Sequence, residues 1–189
     1  MKVNRALGLV LVFFTLTLMT ATQVAASGYT YHAKYIYVND NRSWTGGTDP
    51  TWMLLWVSGH WRESEFGWIY FYDATHKVTI LDIPPHHKVE NVVLRGITDS
   101  YDRTISRTRM YEGDSLTIAR GNIMSDGVMV ILDCDVTVPI WRLRWIWFGW
   151  EWYVDHYETV HVHETLSFDI YDTWAGWKPA LYIGPKLRA

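Results

Sequence analysis

Polar and apolar positions alternate with a period of two along most of this chain, the pattern of half-buried strands. Val128–Val138 is the clearest case. Val128, Val130, Leu132, Cys134, Val136 and Val138 fall on one face, and Asp133, Asp135 and Thr137 on the other. Tyr29, Tyr31, Ala33, Tyr35 and Tyr37 alternate with Thr30, His32, Lys34, Ile36 and Val38, a strand with an aromatic face. Val160, Val162, Leu166, Phe168 and Ile170 alternate with His161, His163, Thr165, Ser167 and Asp169, and Glu164 falls on the apolar side as an exception. Trp52–Val57 is apolar on both faces and reads as a buried strand; Val89–Ile97 and Arg103–Met110 add two more. Gly67–Tyr72 and Lys77–Ile83 predict a hairpin turning at Asp73-Ala74-Thr75-His76. Tyr111–Asp114 predicts a turn into a strand at Ser115–Ile118, and Gly121–Gly127 a loop. Trp141, Leu143, Trp145 and Trp147 alternate with Arg142 and Arg144, the pattern breaks at Phe148-Gly149, and Trp150–Val154 resumes it. About nine to eleven short strands with turns between them predict an all-β fold, an antiparallel β-sandwich or jelly roll.

The first 26 residues depart from this pattern. Lys2 and Arg5 precede an uncharged run, Leu7–Met19, and the small residues Ala21, Ala25, Ala26 and Ser27 follow. That is a charged start, an apolar stretch and a small-residue cleavage site. It predicts a cleavable signal peptide over 1–26, one β-sandwich domain over 28–189, and a secreted or extracytoplasmic cell-surface location. The apolar run is shorter than the about 20 residues of a membrane span, so this segment brings membrane contact only if it is uncleaved. Removing Lys2 and Arg5 leaves 15 of the 17 basic side chains against 20 acidic ones. This balance argues against nucleic acid as a partner, because neutralising phosphates requires a basic face. Cys134 is the one cysteine, so no intrachain disulfide forms and burial must supply stability. The means are 12 Trp and 12 Tyr, large rings that bury much area and favour strands.

The tryptophans are unevenly placed. Trp44, Trp52, Trp56, Trp61 and Trp68 lie early; Trp141, Trp145, Trp147, Trp150, Trp152, Trp174 and Trp177 lie late; residues 69–140 have none. The expectation is that the early and late segments meet, with the middle third forming the opposite sheet. One small core does not hide so many rings. Trp141, Trp145 and Trp147 on one strand and Trp150 and Trp152 on the next are therefore the candidate ligand-binding residues, since exposed rings stack on sugars or contact partners.

Metal chemistry is the second candidate. His161 and His163 point the same way from one strand, so both imidazoles can reach one ion, with His156 or Asp169 as third ligand. The pair resembles the His-x-His of cupins in those two residues; the glutamate expected a few positions on has no counterpart, and the family is not carried over. Asp99, Asp102, Glu112, Asp114, Asp133 and Asp135 lie near loops or on a polar face, where calcium finds oxygens, although no Asp-x-Asp-x-Asp-Gly loop is present. Calcium or a transition metal is thus the cofactor expectation, and Asp133 and Asp135 pairing with arginine or facing water is its alternative. His86-His87 follows Pro84-Pro85 and reads as an exposed turn.

Trp150-Glu151-Trp152-Tyr153 is similar to the strand that carries the nucleophile in small Trp/Tyr-rich jelly-roll xylanases. The resemblance implies Glu151 as a glycosidase carboxylate. The second Glu-Gly-Tyr motif of that family has no counterpart, because Glu164 is the last glutamate. The competing expectation is that Glu151 pairs with Arg142 or Arg144 across a hairpin. Cys134 on an apolar strand face reads as a buried, inert thiol, and Asn41-Arg42-Ser43 is a glycosylation sequon.

Taken together, these features predict an exported, non-catalytic domain presenting an aromatic surface, with carbohydrate as the foremost ligand and a cell-surface protein as the other partner. The alternative is a structural subunit that self-assembles through Tyr29–Val38, in the layout of exported filament subunits that donate a terminal strand. A small glycoside hydrolase comes third.

Overall fold

A computed structural model describes residues 27–42, 50–64, 66 and 68–170. The expected signal peptide, Trp44, Trp174 and Trp177 lie outside the described residues. Eight strands follow in order: β1 Ser27–Val38, β2 Thr51–Glu63, β3 Ile69–Asp82, β4 Lys88–Thr98, β5 Tyr101–Met110, β6 Ser115–Ser125, β7 Gly127–Ile146 and β8 Gly149–Asp169. They form two four-stranded antiparallel sheets, β1-β2-β3-β6 and β5-β4-β7-β8.

The inward faces of the two sheets share one core. Met53, Leu55 and Val57 of β2, with Phe71, Val78 and Ile80 of β3, meet Val89, Val92 and Leu94 of β4 and the even positions Val128–Val138 of β7. The period-two reading of β7 holds over this stretch. The core is mostly aliphatic, with Phe71 and Phe168 meeting edge-on inside it; among the described residues its buried members include no tryptophan. On β1 the tyrosines stay outside, while Thr30, Ile36 and Val38 are buried. There Tyr31 stacks on Trp56 at 4.4 Å and 8°, and Tyr37 meets Trp52 edge-on at 4.4 Å.

Three expectations fail, each for a local reason. The hairpin at Asp73–His76 does not form: β3 runs straight through it, with Ala74 and His76 buried. Asp73 uses its hydrogen-bonding capacity on an irregularity in β2 instead. The register shifts between Ser58 and Trp61, and Asp73 Oδ1 accepts the displaced His60 N–H at 2.8 Å. The Gly121–Gly127 loop is also strand, with Ile123 and Ser125 buried; Asn122 takes φ 54° where the β3–β6 register shifts. The early and late tryptophans do not pack on one another in the described contacts, and the middle third is divided between both sheets instead of forming one of its own. Trp52 and Trp56 pack on β1 tyrosines within the first sheet, and the middle strands β3 and β6 join that same sheet.

Glu164, the exception on β8, is 7 % exposed and pairs with Lys34, which points inward from β1. β1 and β8 are the edges of different sheets, so this ion pair ties the two layers along one side. An inward charge on an edge strand also discourages edge-to-edge pairing with another chain.

His76 is fully buried. Its Nδ1 lies 3.1 Å from the Tyr101 hydroxyl, and a Cβ on Gly96 would stand 2.8 Å from its ring. Gly96 is therefore the space His76 occupies. Burial pulls the imidazole pKa down to about 4, against weaker raising contacts with the Ile118 and Ile97 backbone. Burial likewise pushes the Cys134 thiol up to about 12, helped by Asp135 and Asp133, so the inert-thiol reading is supported.

A histidine with a depressed folded pKa stabilises the fold while it is neutral. That contribution is whole above the unfolded value of 6.5 and is lost as pH falls toward about 4. Thermal unfolding between pH 7.5 and 4 should show this loss, up to about 3 kcal/mol by the linkage relation. In His76→Leu the limb between pH 6.5 and 4 should flatten; an unchanged slope would refute the assignment. Gly96→Ala should cost about 1–3 kcal/mol through overpacking. Gly121→Ala, whose Cβ would meet nothing within 4 Å, should cost far less.

Candidate functional site

β7 and β8 leave the sheet together. The β4 ladder on β7 ends at Lys88↔Thr137, whereas β7 and β8 stay paired to Ile146↔Gly149. The result is a two-stranded hairpin standing nine residues beyond its neighbour strand, as counted from 137 to 146.

One bulge sorts its side chains. Through Ile140↔His156, even positions of β7 oppose even positions of β8; from Trp141↔Val154 onward odd oppose even, because Asp155 is an extra residue. Directly opposed residues share a face. Trp141, Leu143, Trp145, Trp150 and Trp152 therefore gather on one face, and Arg142, Arg144, Glu151 and Tyr153 on the other. Without the bulge, Trp150 and Trp152 would join the arginines. Trp145 and Trp150 meet edge-to-face at 5.5 Å. On the charged face Arg144 bonds Glu151 at 3.0 Å and lies 5.0 Å from the Tyr153 ring, and Arg142 pairs with Asp155 at 3.1 Å. Glu151 thus has the cross-hairpin arginine partner expected of a structural carboxylate, and its exposed side chain faces no second carboxylate in the described contacts.

The tip is a two-residue turn, Trp147-Phe148, one residue earlier than the break at Phe148-Gly149 expected from the alternation; Gly149 already belongs to β8. Two-residue turns favour Asn, Asp or Gly at such positions. Here both are large rings, 94 % and 98 % exposed, and the backbone freedom comes from the following Gly149 at φ 147°.

The base is braced by the β1–β2 connection. Asn41 stands in for a missing strand partner: its Nδ2 donates to the Trp141 carbonyl at 2.8 Å and its Oδ1 accepts the Trp141 N–H at 2.7 Å. Asp40 accepts the Trp141 indole N–H at 2.8 Å, and the Arg42 guanidinium lies 4.5 Å from Trp141 and 5.2 Å from Trp152. Asn41 and Arg42 are the first two residues of the glycosylation sequon. Beneath them Thr51 Oγ1 lies 2.9 Å from His87 Nδ1, and His87 Nε2 is 3.7 Å from Asp40. Hydroxyl, imidazole and carboxylate follow in the order of a hydrolytic triad. All three residues are at most 6 % exposed, so no substrate reaches the hydroxyl and the group supports the hairpin instead. His87 is consequently not the exposed turn residue expected, and burial lowers its pKa against the pull of Asp40.

The histidine pair of β8 is placed as expected, on one outward face, yet each ring is engaged by an aspartate across the ladder. His163 Nδ1 lies 2.5 Å from Asp133 and His161 Nδ1 3.0 Å from Asp135, which Asn91 also holds at 2.8 Å. Asn91 and then His161 keep the Asp135 carboxyl below its ordinary value. Among the described residues no group of three or more His, Cys, Asp or Glu is placed to hold a metal ion. Of the other acids, Asp102 pairs with Arg95, Asp114 with Arg107, and Asp99 accepts from Ser125 and the Asp126 N–H. His156 carries a raised pKa from Asp155 and Glu158 at the bulge.

No family model matches this chain, and neither a curated protein nor a solved structure matches it.

Both polar atoms of the Asn41 amide are committed to Trp141. Asn41→Ala should lower stability by about 1–2 kcal/mol in urea unfolding, the cost of stranding the Trp141 backbone groups.

Proposed function

We propose that this chain is an exported, non-catalytic binding module whose contact organ is the aromatic tip of the β7–β8 hairpin. One observation carries the reading: two large rings occupy a tight turn almost wholly in water, at the end of arms held together by ladder, ion pairs and an aromatic face. Local folding gains nothing from rings at those positions, and exposed apolar clusters mark contact sites. The strand order adds support by analogy. β2-β3-β6 against β5-β4-β7-β8 is the interlocked order of immunoglobulin-type sandwiches, which bind through loops at one end.

The outer face of the first sheet carries a second aromatic cluster. Tyr31 and Trp56 stack on one another there at 4.4 Å and 8°, each covering one face of the other, so they offer a sugar a single outer ring face and not a shared plane. The hairpin rings, at 73° to one another, offer no shared plane either. Self-assembly by strand donation has less support, because β1 pairs with β2 along its whole length and carries the inward Lys34.

If the tip is a contact organ, its rings are dispensable for folding. The double variant W147A/F148A should unfold within about 0.5 kcal/mol of the parent; a larger loss would show that the rings are packed and would sink the reading. Tryptophan emission titrated with soluble polysaccharides locates any sugar. A saturable shift lost in Trp56→Ala assigns it to the sheet, and one lost in W147A/F148A assigns it to the tip.

A further inference from the structure

Resting on that reading of the tip as the contact organ, we propose that its target is the interfacial layer of a lipid bilayer. The tip enters with Trp147 and Phe148 leading and Trp145 and Trp150 behind them.

Shape is the first argument. A protein partner would have to supply a cavity for a convex apolar point, whereas a lipid surface receives one by deforming. Trp145, Trp147, Phe148 and Trp150 are 65 %, 94 %, 98 % and 69 % exposed. Their rings lie on no common plane, so they suit a soft medium better than a sugar face. Indoles also favour the membrane–water boundary, where the ring is in hydrocarbon and its N–H is hydrated.

Depth is the second. Three residues separate Trp147 from Arg144, which at 3.3 Å per residue is about 10 Å. Side chains that anchor in the interface are buried about 5–10 Å. The apolar block therefore ends where the headgroups begin. There the Arg144–Glu151 pair, and one step further the Arg142–Asp155 pair, meet a hydrated polar layer. Both arginines can reach phosphate without leaving a naked charge in hydrocarbon.

Backbone satisfaction is the third. Ile146↔Gly149 closes the ladder at the turn, so the peptide groups facing between the arms enter paired. Among the described residues no third strand pairs the outward edges of the arms, which suits shallow insertion among headgroups and water rather than a deeper position. The other exposed aromatic tip, Phe66 and Trp68 between β2 and β3, lies at the opposite end of the sheets. It cannot touch the same surface and serves as an internal control.

The test is flotation of the full chain with vesicles of phosphatidylcholine, with and without phosphatidylglycerol, alongside W147A/F148A and Trp68→Ala. The expected result is binding with a blue-shifted emission, quenched by lipids brominated near the headgroup more than by lipids brominated at the chain end. W147A/F148A should partition at least tenfold more weakly at unchanged melting temperature, and Trp68→Ala should match the parent. Because the tip charges are paired, binding should change less than threefold between 50 and 500 mM salt. Equal binding by W147A/F148A would assign the affinity to another part of the chain and overturn the proposal. Binding that needs phosphatidylglycerol and vanishes in salt would overturn it too, pointing to surface arginines. If the parent ignores vesicles but gives a glycan shift that W147A/F148A loses, the lipid target is refuted and the contact organ stands. If it ignores both, the lipid proposal fails and the contact-organ reading loses its support from either ligand class.

Discussion

The pairing of β7 with β8 is the interaction on which the rest of this structure depends. One half of that ladder carries the even-numbered apolar residues that close the core, and the other half leaves the sheet as the aromatic hairpin. The two halves are continuous, so the hairpin is anchored by the burial of Val128, Val130, Leu132, Val136 and Val138. Each such side chain is worth about 1.5–3 kcal/mol relative to exposure. The arms outside the sheet lack that support. Two-stranded ribbons alone are marginal in water, and this one is reinforced by the Asn41 brace, the Arg42 contacts and paired charges along one face. A hairpin anchored in this way loses less freedom on binding than a loop would, which leaves more of its contact energy as affinity.

With no disulfide, the two layers are held by interdigitated aliphatic side chains and by a few polar ties at the margins. Lys34 with Glu164 joins the layers along the β1–β8 side, and His76 with Tyr101 lies between β3 and β5. These ties differ in consequence. The ion pair is partly solvated through Lys34 and is screened accordingly. His76 has no water to take its proton charge, so its neutrality is a condition of the core. Acid therefore reaches this fold through its buried imidazoles, His76 beside its glycine and His87 beside Asp40, before it reaches the surface carboxylates that pair with arginine.

Period-two patterning made the β class, the inward face of β7 and, to within one residue, the turn at the end of the hairpin readable from the sequence. It failed where turn-forming residues serve another purpose. Asp73 reads as a turn because aspartate bonds nearby backbone, and here it does so across a strand to His60. Gly121-Asn122 reads as a loop and is a bulge within a strand. The composition of the Trp set misled in a different way. Tryptophan is large and apolar, which suggested a shared core, yet the strands that bury most area use Val, Ile and Leu. The five candidate ring positions were legible as a cluster on adjacent strands. The residue that makes them one face, Asp155, was not, because a bulge is set by backbone register and leaves no mark in an alternating pattern. The Asp40-Asn41-Arg42 brace was hidden for a related reason. It is a contact across 100 residues, visible only when the chain has folded.

The two exposed aromatic turns show why exposure alone does not identify the contact organ. Between β2 and β3, Phe66 and Trp68 are 86 % and 75 % exposed, comparable with the β7–β8 tip. Yet that turn stands close to the sheet: Ser27↔Arg62 on one side and Phe71↔Ser125 on the other leave an overhang of one residue on β2 and two on β3. Ser64 accepts the Trp68 N–H at 3.0 Å and binds the turn back on itself. The β7–β8 tip stands nine residues clear of its neighbour, backed by two neutralised charge pairs and a bulge that collects its rings. Among the described residues, standoff, preorganisation and charge neutrality appear together at this end only. They are features that folding of the two sheets does not require, and a penetrating contact does.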